Sequence, residues 1–267
     1  MSQLKGKTAV VLGAASAGNM AQVIAQRFAD EGADVMVSGR NEEELTKFAE
    51  KTGGSYCLCD ITHHDQVTKL ANHAQKTFSS VDIAVNATGW GLPKSMLEIE
   101  DSELDNMISI QFKGVHYFLA EFTRVMIANE APGGSLINIS SATTQALVSN
   151  YAAYIGTKAG SEALVRCVAN DYGQFGIRAN SISPALTKTP MTEGSFGVPG
   201  LVDAFISRSP LGRLNTSDDV AAAAVWLASD QAFLTGENIQ VNGGLTMRGN
   251  PQPAEIQKSI AEASKAS

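Results

Sequence analysis

No run of about 18 apolar residues occurs in the 267-residue chain, so no stretch reads as a helix crossing a bilayer. No cluster of lysines and arginines occurs either, and the formal net charge is −7. A chain lacking a basic field is a poor partner for nucleic acid or for an anionic membrane surface, and neither is expected here. Cysteine is scarce, with three in all. Cys57 and Cys59 alternate on one apparent strand and share a face. Without a second pair they read as buried free thiols rather than metal ligands, which suits a reducing compartment. His63 and His64 read as a polar helix start, and His73 and His116 stand alone, so no metal site is expected. The opening "MSQLKGKTAVVLG" has too short an apolar core for a leader and reads better as a first strand. Cytoplasmic residence is the expectation. Low-complexity linkers and internal repeats are missing too, and the 24 Gly and 8 Pro are dispersed, so one domain is expected.

What is present is an alternation. "TAVVL" (8–12) is apolar and β-branched, as a strand buried on both faces should be. Met20, Ile24 and Phe28 then recur at helical spacing. Strand patterns follow at 32–38, 55–60, 81–89, 133–141, 177–184 and 238–244. Helical patterns lie between them: 42–54, 64–78, two stretches near 101–112 and 114–129, one near 151–174 and one at 217–230. The alternation predicts an α/β fold, a single-domain Rossmann-like doubly wound sheet of about seven parallel strands with helices on both faces. Ligands bind such sheets beyond the carboxyl ends of the strands, where strand order reverses.

The first strand runs into "GAASAGNM". Gly13 suits a tight turn, and Asn19 opens a helix whose free N–H groups and dipole favour an anion. Asn19 either caps that helix or offers its amide to a phosphate. The second strand ends in Gly39 and Arg40, with no carboxylate there to hold a ribose hydroxyl. An arginine at that point pairs with a 2′-phosphate, so NADP(H) is preferred, with NAD(H) the alternative.

The chemistry gathers after the fifth strand. Tyr154 and Lys158 are four apart on a helix and share a face, and Ser141 lies at the strand end. A phenol titrates near pH 10, and a nearby ammonium lowers that value. Tyr154, Lys158 and Ser141 together make an acid/base site for a carbon bearing oxygen.

With these motifs the chain resembles the short-chain dehydrogenase/reductase family, in its carbonyl-reductase form, over about residues 5–247. The resemblance rests on the glycine turn at 13–19, "CDIT" with Asp60, "NATG" at 86–89, Ser141, Tyr154 with Lys158, and "NSISPALTKTPM" at 180–191. It implies that Tyr154 is the general acid/base, that Lys158 binds the nicotinamide ribose, and that Ser141 orients the substrate oxygen. It implies a cofactor site of Gly13, Ser16, Gly18, Asn19, Met20, Gly39 and Arg40 on the first two strands. Asp60, Ile61, Asn86, Ala87 and Thr88 continue it, and Pro184, Thr187 and Thr189 close it beside Tyr154 and Lys158. A homotetramer is implied as well, packed through the helices near 101–129 and 151–174.

The chain also departs from the family pattern. Leu12, Ala17 and Asn19 replace the usual threonine and two glycines of the turn, and Ala87 and Thr88 alter the next motif. The helical asparagine that relays protons appears as Gln111 in "IQFKG". "GAASAGNMA" resembles enoyl-thioester reductases of the same superfamily, which use Tyr-x6-Lys, and Tyr151 to Lys158 has that spacing. Those enzymes tend to carry an aromatic residue where Ser141 falls, so the intact trio favours hydride transfer between NADP(H) and a ketone or secondary alcohol. Enoyl reduction through Tyr151 is the alternative, and a nucleotide-binding regulator without catalysis is a third.

A lid is expected at about 190–210, made mobile by Gly194, Gly197 and Gly200. Trp90, Leu147, Phe196 and Phe205 would line an apolar pocket for a hydrophobic small-molecule carbonyl or alcohol. The tail at 248–267 carries Ile256 and Ile260 at helical spacing; it either docks on a neighbouring subunit or frays.

Overall fold

The computed structural model describes residues 2–266. Seven strands form one sheet: β1 (Thr8–Leu12), β2 (Asp34–Gly39), β3 (Ser55–Leu58), β4 (Ile83–Asn86), β5 (Gly134–Ile139), β6 (Ile177–Pro184) and β7 (Asn238–Val241). All neighbours are parallel, in the order β3-β2-β1-β4-β5-β6-β7. The order reverses between β1 and β4, where Leu12 pairs with Asn86. A crevice therefore opens beyond the carboxyl ends of those two strands.

Strand residues alternate between two cores. Val11, Val37, Ile83 and Ile137 face one, covered by α1 (Met20–Asp30), α2 (Glu42–Thr52) and α9 (Ser217–Ala228). Val10, Met36, Ala84 and Leu136 face the other, covered by α3 (His64–Phe78), α5 (Gly114–Ile127) and α6 (Ala152–Tyr172). Burial on both faces explains why β1 reads as an unbroken apolar run, whereas the edge strands β3 and β7 are only partly buried. The α9 start is closed by a capping box, with Thr216 and Asp219 bonding each other's backbone.

Three segments differ from the expectation. The two helices expected near 101–112 and 114–129 form one rod, because α4 (Asp101–Ile108) passes into α5 through a π-helical turn, Ser109–Lys113. Such turns insert one residue and swing the side chains around them, and they recur at functional sites. The 190–210 segment is more ordered than a glycine-rich loop suggests, with α7 (Glu193–Phe196) and α8 (Leu201–Arg208) inside it. A short α10 (Leu245–Arg248) follows β7.

The tail is helical, α11 (Pro253–Ala266), and lies across α8 of its own chain. Gly200, at φ +78°, allows the crossing: a Cβ there would stand 2.4 Å from the Ser259 carbonyl oxygen. Ser259 Oγ donates to Gly200 O at 2.7 Å, and Arg208 pairs with Glu255. Asn250, buried ahead of the helix, donates to Ala146 O in the loop that follows β5.

Candidate active site

The β1–α1 turn closes on itself. Gly13 takes φ +112°, and a Cβ there would stand 2.9 Å from the Ala87 carbonyl, so only glycine lets β1 and β4 approach this closely. Asn19 caps α1, its Oδ1 accepting from Gln22 N at 3.0 Å, while its Nδ2 donates to Gly13 O at 2.8 Å. The amide considered for a phosphate is thus engaged by the turn. Gln22, on the buried face of α1, donates to Ala14 O at 3.1 Å and accepts from Gly18 N at 2.9 Å. Ser16 is exposed and Met20 half-buried at the helix mouth. At Gly39 a Cβ would meet Ala15 Cβ at 2.8 Å, so the glycine makes room for the turn.

Arg40, exposed beyond β2, pairs with Asp60 at 3.6 Å. Burial pushes the Asp60 carboxyl up, but the Thr62 donors and the Arg40 charge together hold it below its ordinary value. Ile61 is buried in the α3–α5 core. Asn86 is fully buried; its Nδ2 donates to Asn138 Oδ1 at 2.9 Å, and its Oδ1 accepts from Thr88 N and Oγ1 at 3.1 and 2.7 Å. It shapes the Ala87–Gly89 turn rather than facing the crevice. Thr88 at this position supplies a hydroxyl that alanine would lack.

Tyr154, Lys158 and Ser141 come together. Ser141 lies close enough to Tyr154 to favour its ionised form, and Ser141 Oγ accepts from Thr143 Oγ1 at 2.9 Å. Lys158 is 4% exposed, with Nζ 5.9 Å from the Tyr154 ring centroid. The electrostatics differ from the expectation that the ammonium lowers the phenol. Burial pushes Tyr154 up, against the pull of the Ser141 hydrogen bond, and pulls Lys158 down to about 8, with Glu162 opposing. The ammonium donates to Ile139 O at 2.7 Å instead of to the phenol.

Gln111 sits in the π turn, 1% exposed. Its Nε2 donates to Trp90 O at 3.2 Å and touches Met107 Sδ, while its Oε1 is buried with no partner among the described residues. A Cβ on Gly89 would lie 3.7 Å from Lys158 Nζ, 3.8 Å from Gln111 Oε1 and 3.9 Å from Met191 Cε, so these groups meet at one point. Met191 was absent from the sequence reading; its place directly after Pro190, at the head of the expected lid, was the available signal.

Trp90 is half-buried beside Gln111, and Phe196 and Phe205 are half-buried on α7 and α8. Leu147 stands 65% exposed at the rim, not in a pocket wall. Thr187 is buried, with its hydroxyl donated to Ala185 O at 2.9 Å and accepting from Asn215 Nδ2 at 2.7 Å. Pro184, at the end of β6, is buried too, whereas Thr189 is half-buried, its hydroxyl 3.2 Å from Thr192 Oγ1. Asn215 and Gln22 were also missed. Gln22 had a signal, being a polar residue among the core positions of α1.

The arrangement fits a dinucleotide. The α1 N-terminus and the Gly13 cradle lie at the crevice, and the orphaned Gln111 Oε1 and the buried Lys158 lie at its far end. Among the described residues, no group of three or more His, Cys, Asp or Glu is placed to hold a metal ion, and no helix is long and apolar enough to cross a membrane.

Comparison with known proteins agrees with this geometry. A family model described as enoyl-(acyl carrier protein) reductase matches residues 13–246. The chain is 34% identical over 253 residues to 3beta-hydroxysteroid dehydrogenase 1 of Eggerthella lenta, covering 91% of this chain and 95% of that one. It is 32% identical over 250 residues to the mitochondrial borneol dehydrogenase of Lavandula x intermedia, covering 92% and 93%. A solved short-chain type dehydrogenase/reductase from Mycobacterium ulcerans superposes with TM-score 0.88 at 25% identity, over 97% of this chain and 98% of that one. A gluconate 5-dehydrogenase from Burkholderia cenocepacia, solved with NADP and tartrate, gives TM-score 0.87 at 25% identity, over 92% and 97%.

Proposed function

The chain belongs to the short-chain dehydrogenase/reductase family of oxidoreductases acting on CH–OH and C=O groups, and from that premise we propose that it interconverts a hydrophobic ketone and its secondary alcohol with NADP(H). The observation that carries this reading is Tyr154 beside buried Lys158, whose Nζ lies 5.9 Å from its ring centroid, with Ser141 favouring the ionised phenol at the strand ends.

When bound, the nicotinamide supplies or accepts a hydride at the substrate carbon. The Ser141 and Tyr154 hydroxyls hold the carbonyl oxygen, and Tyr154 delivers the proton that makes it an alcohol. In the reverse direction Tyr154 receives that proton. Lys158 presents a positive charge to the cofactor ribose and to the phenol. Gln111 Oε1 is the acceptor available to a proton path from Lys158. Arg40 selects the 2′-phosphate, leaving Asp60 when it does so; NAD(H) is the weaker cofactor. Trp90, Phe196 and Phe205 form the apolar wall, exposed Met191 stands at its edge, and 190–210 closes over it.

The free thiols suit the cytoplasm, and the assembly proposed is a homotetramer. A groove of about 450 Å³ along α5 and α6, lined by Leu119, Ile127, Leu164, Val168 and Tyr172, supports that packing.

The description of the matching family model favours enoyl reduction as a second reading. Tyr151 is half-buried, its ring 5.8 Å from that of Tyr154, and its Cε1 lies 3.9 Å from where a Gly91 Cβ would stand. The experiment is NADPH and NADH oxidation with a panel of hydrophobic ketones and 2-enoyl thioesters, run beside Tyr154→Phe and Tyr151→Phe. Ketone turnover lost in Tyr154→Phe is expected. Enoyl turnover that survives Tyr154→Phe and fails in Tyr151→Phe would overturn the proposal. Tight NADPH binding without any turnover would favour the regulator.

A further inference from the structure

Behind the Ser141–Tyr154–Lys158 group lies a carboxylate that this chemistry leaves unused. Glu162 stands one helical turn beyond Lys158 on α6, on the same face. It is half-buried, and its Oε1 accepts a hydrogen bond from Ser140 Oγ. Ser140 is 3% exposed, and its N–H is donated to Ile182 O on β6 at 2.8 Å. Lys158, meanwhile, holds Ile139 O. Ile139 ends β5, Ser140 follows it, and Ser141 comes next. One turn of α6 therefore grips two consecutive residues, a cation on the first and an anion on the second. The residue they deliver to the phenol is Ser141.

A cation buried this deeply needs a counter-charge, or it gives up its proton. On its own helix the titratable groups facing Lys158 are Tyr154 and Glu162. The groups recorded at the ammonium from other elements are uncharged: the Ile139 carbonyl at the end of β5 accepts from it, and Gln111 from the π turn and Met191 from the lid segment meet it beside Gly89. Glu162, one turn further along the same face of α6, is a carboxylate that opposes the downward pull of burial on Lys158.

We propose that Glu162, clasped by Ser140, is a positioning residue: it supplies the counter-charge of the Lys158 ammonium and anchors the segment from which Ser141 meets Tyr154. The inference rests on the reading of Tyr154 and Lys158 given above, so its test carries a readout that needs no turnover. Glu162→Gln keeps an acceptor for Ser140 and removes the charge. Glu162→Asp keeps the charge. Lys158 ionisation is followed in the cofactor-free protein by pH-dependent acetylation, read by peptide mass spectrometry. The midpoint for Lys158 is expected to fall by roughly one pH unit in Glu162→Gln and to return most of the way in Glu162→Asp. The alkaline limb of kcat/KM for NADPH-dependent ketone reduction is expected to move to lower pH by the same amount.

A Glu162→Gln midpoint within about 0.2 units of the wild type overturns the inference. A shifted midpoint in a protein that reduces no ketone keeps the inference and removes the proposed function. Ketone reduction with an unmoved midpoint does the reverse. Should Glu162→Gln not fold, Ser140→Ala decides: loss of the clasp moves the midpoint the same way by less, and no movement overturns the inference.

Discussion

The two ends of the crevice are built on opposite principles. At the β1–α1 turn, the side-chain amides of Asn19 and Gln22 are engaged by backbone, holding Gly13, Ala14 and Gly18 in place. At the β5–α6 end, polar groups are buried short of partners. Gln111 Oε1 has none among the described residues, and Lys158 is a deeply buried cation whose acceptor is a single carbonyl. The difference teaches where folding free energy goes. The turn contributes rigidity to a site that recognises a shape. The far end carries a desolvation cost, because groups already satisfied by protein would not bind or move protons.

Substitutions at the two ends should therefore behave in opposite ways. The largest effect is expected from Tyr154→Phe, which removes the proton donor: ketone reduction falls by roughly 10³-fold, with NADPH affinity and Tm nearly unchanged. If affinity fell in step with rate, the two ends would not be separable. Next comes Lys158→Met. Activity falls by about 10²-fold or more, yet the protein gains about 1–3 kcal/mol, roughly 3–8 °C in Tm, because a buried charge is gone.

The sign can be checked against pH. The folded lysine titrates at about 8, below its ordinary 10.5, so between those values the unfolded chain binds more protons. Wild-type stability relative to Lys158→Met should accordingly rise from pH 8 to pH 10; a fall would reverse the argument. Asn19→Ala is expected to do the opposite of Lys158→Met: it costs about 1 kcal/mol through the lost cap and weakens NADPH binding several-fold, with kcat held within about twofold. Titration calorimetry beside saturating kinetics separates the two. The smallest effect serves as a control remote from both ends. Thr216→Ala opens the α9 capping box and lowers stability by about 1 kcal/mol in urea melts, with rate and affinity unaltered.

The central strand β1 was legible because burial on both faces makes it an unbroken apolar run, and the rest of the sheet because strand and helix patterns alternate along the chain. The Ser141–Tyr154–Lys158 trio was legible because helical spacing puts four-apart residues on one face. The lost boundary between the helices near 101–112 and 114–129 has a different cause. A π turn alters the count of residues per turn without changing composition, so Gln111 kept its identity and lost its apparent surroundings. The roles of Asn19, Asn86 and Thr187 were hidden for a related reason. An amide or hydroxyl serves ligand and backbone equally well, and the choice depends on which carbonyl the chain brings near. Glu162 carried no signal in the sequence because its partner, Ser140, lies 22 residues earlier.

One consequence of the tail helix concerns dilution. Because α11 crosses α8 within its own chain, the contact is a tethered equilibrium whose effective concentration is set by the short link after α10, not by how much protein is present. The opening proposed for 190–210 is then expected to proceed at the same rate at any enzyme concentration. A clamp lent by a second subunit would fail on dilution, and KM would climb. Stopped-flow substrate binding across a hundredfold range of enzyme is expected to give one rate constant, and a concentration-dependent one would show that a neighbour holds the lid. Gly200→Ala, which crowds the crossing at Ser259, should raise that constant at every concentration alike.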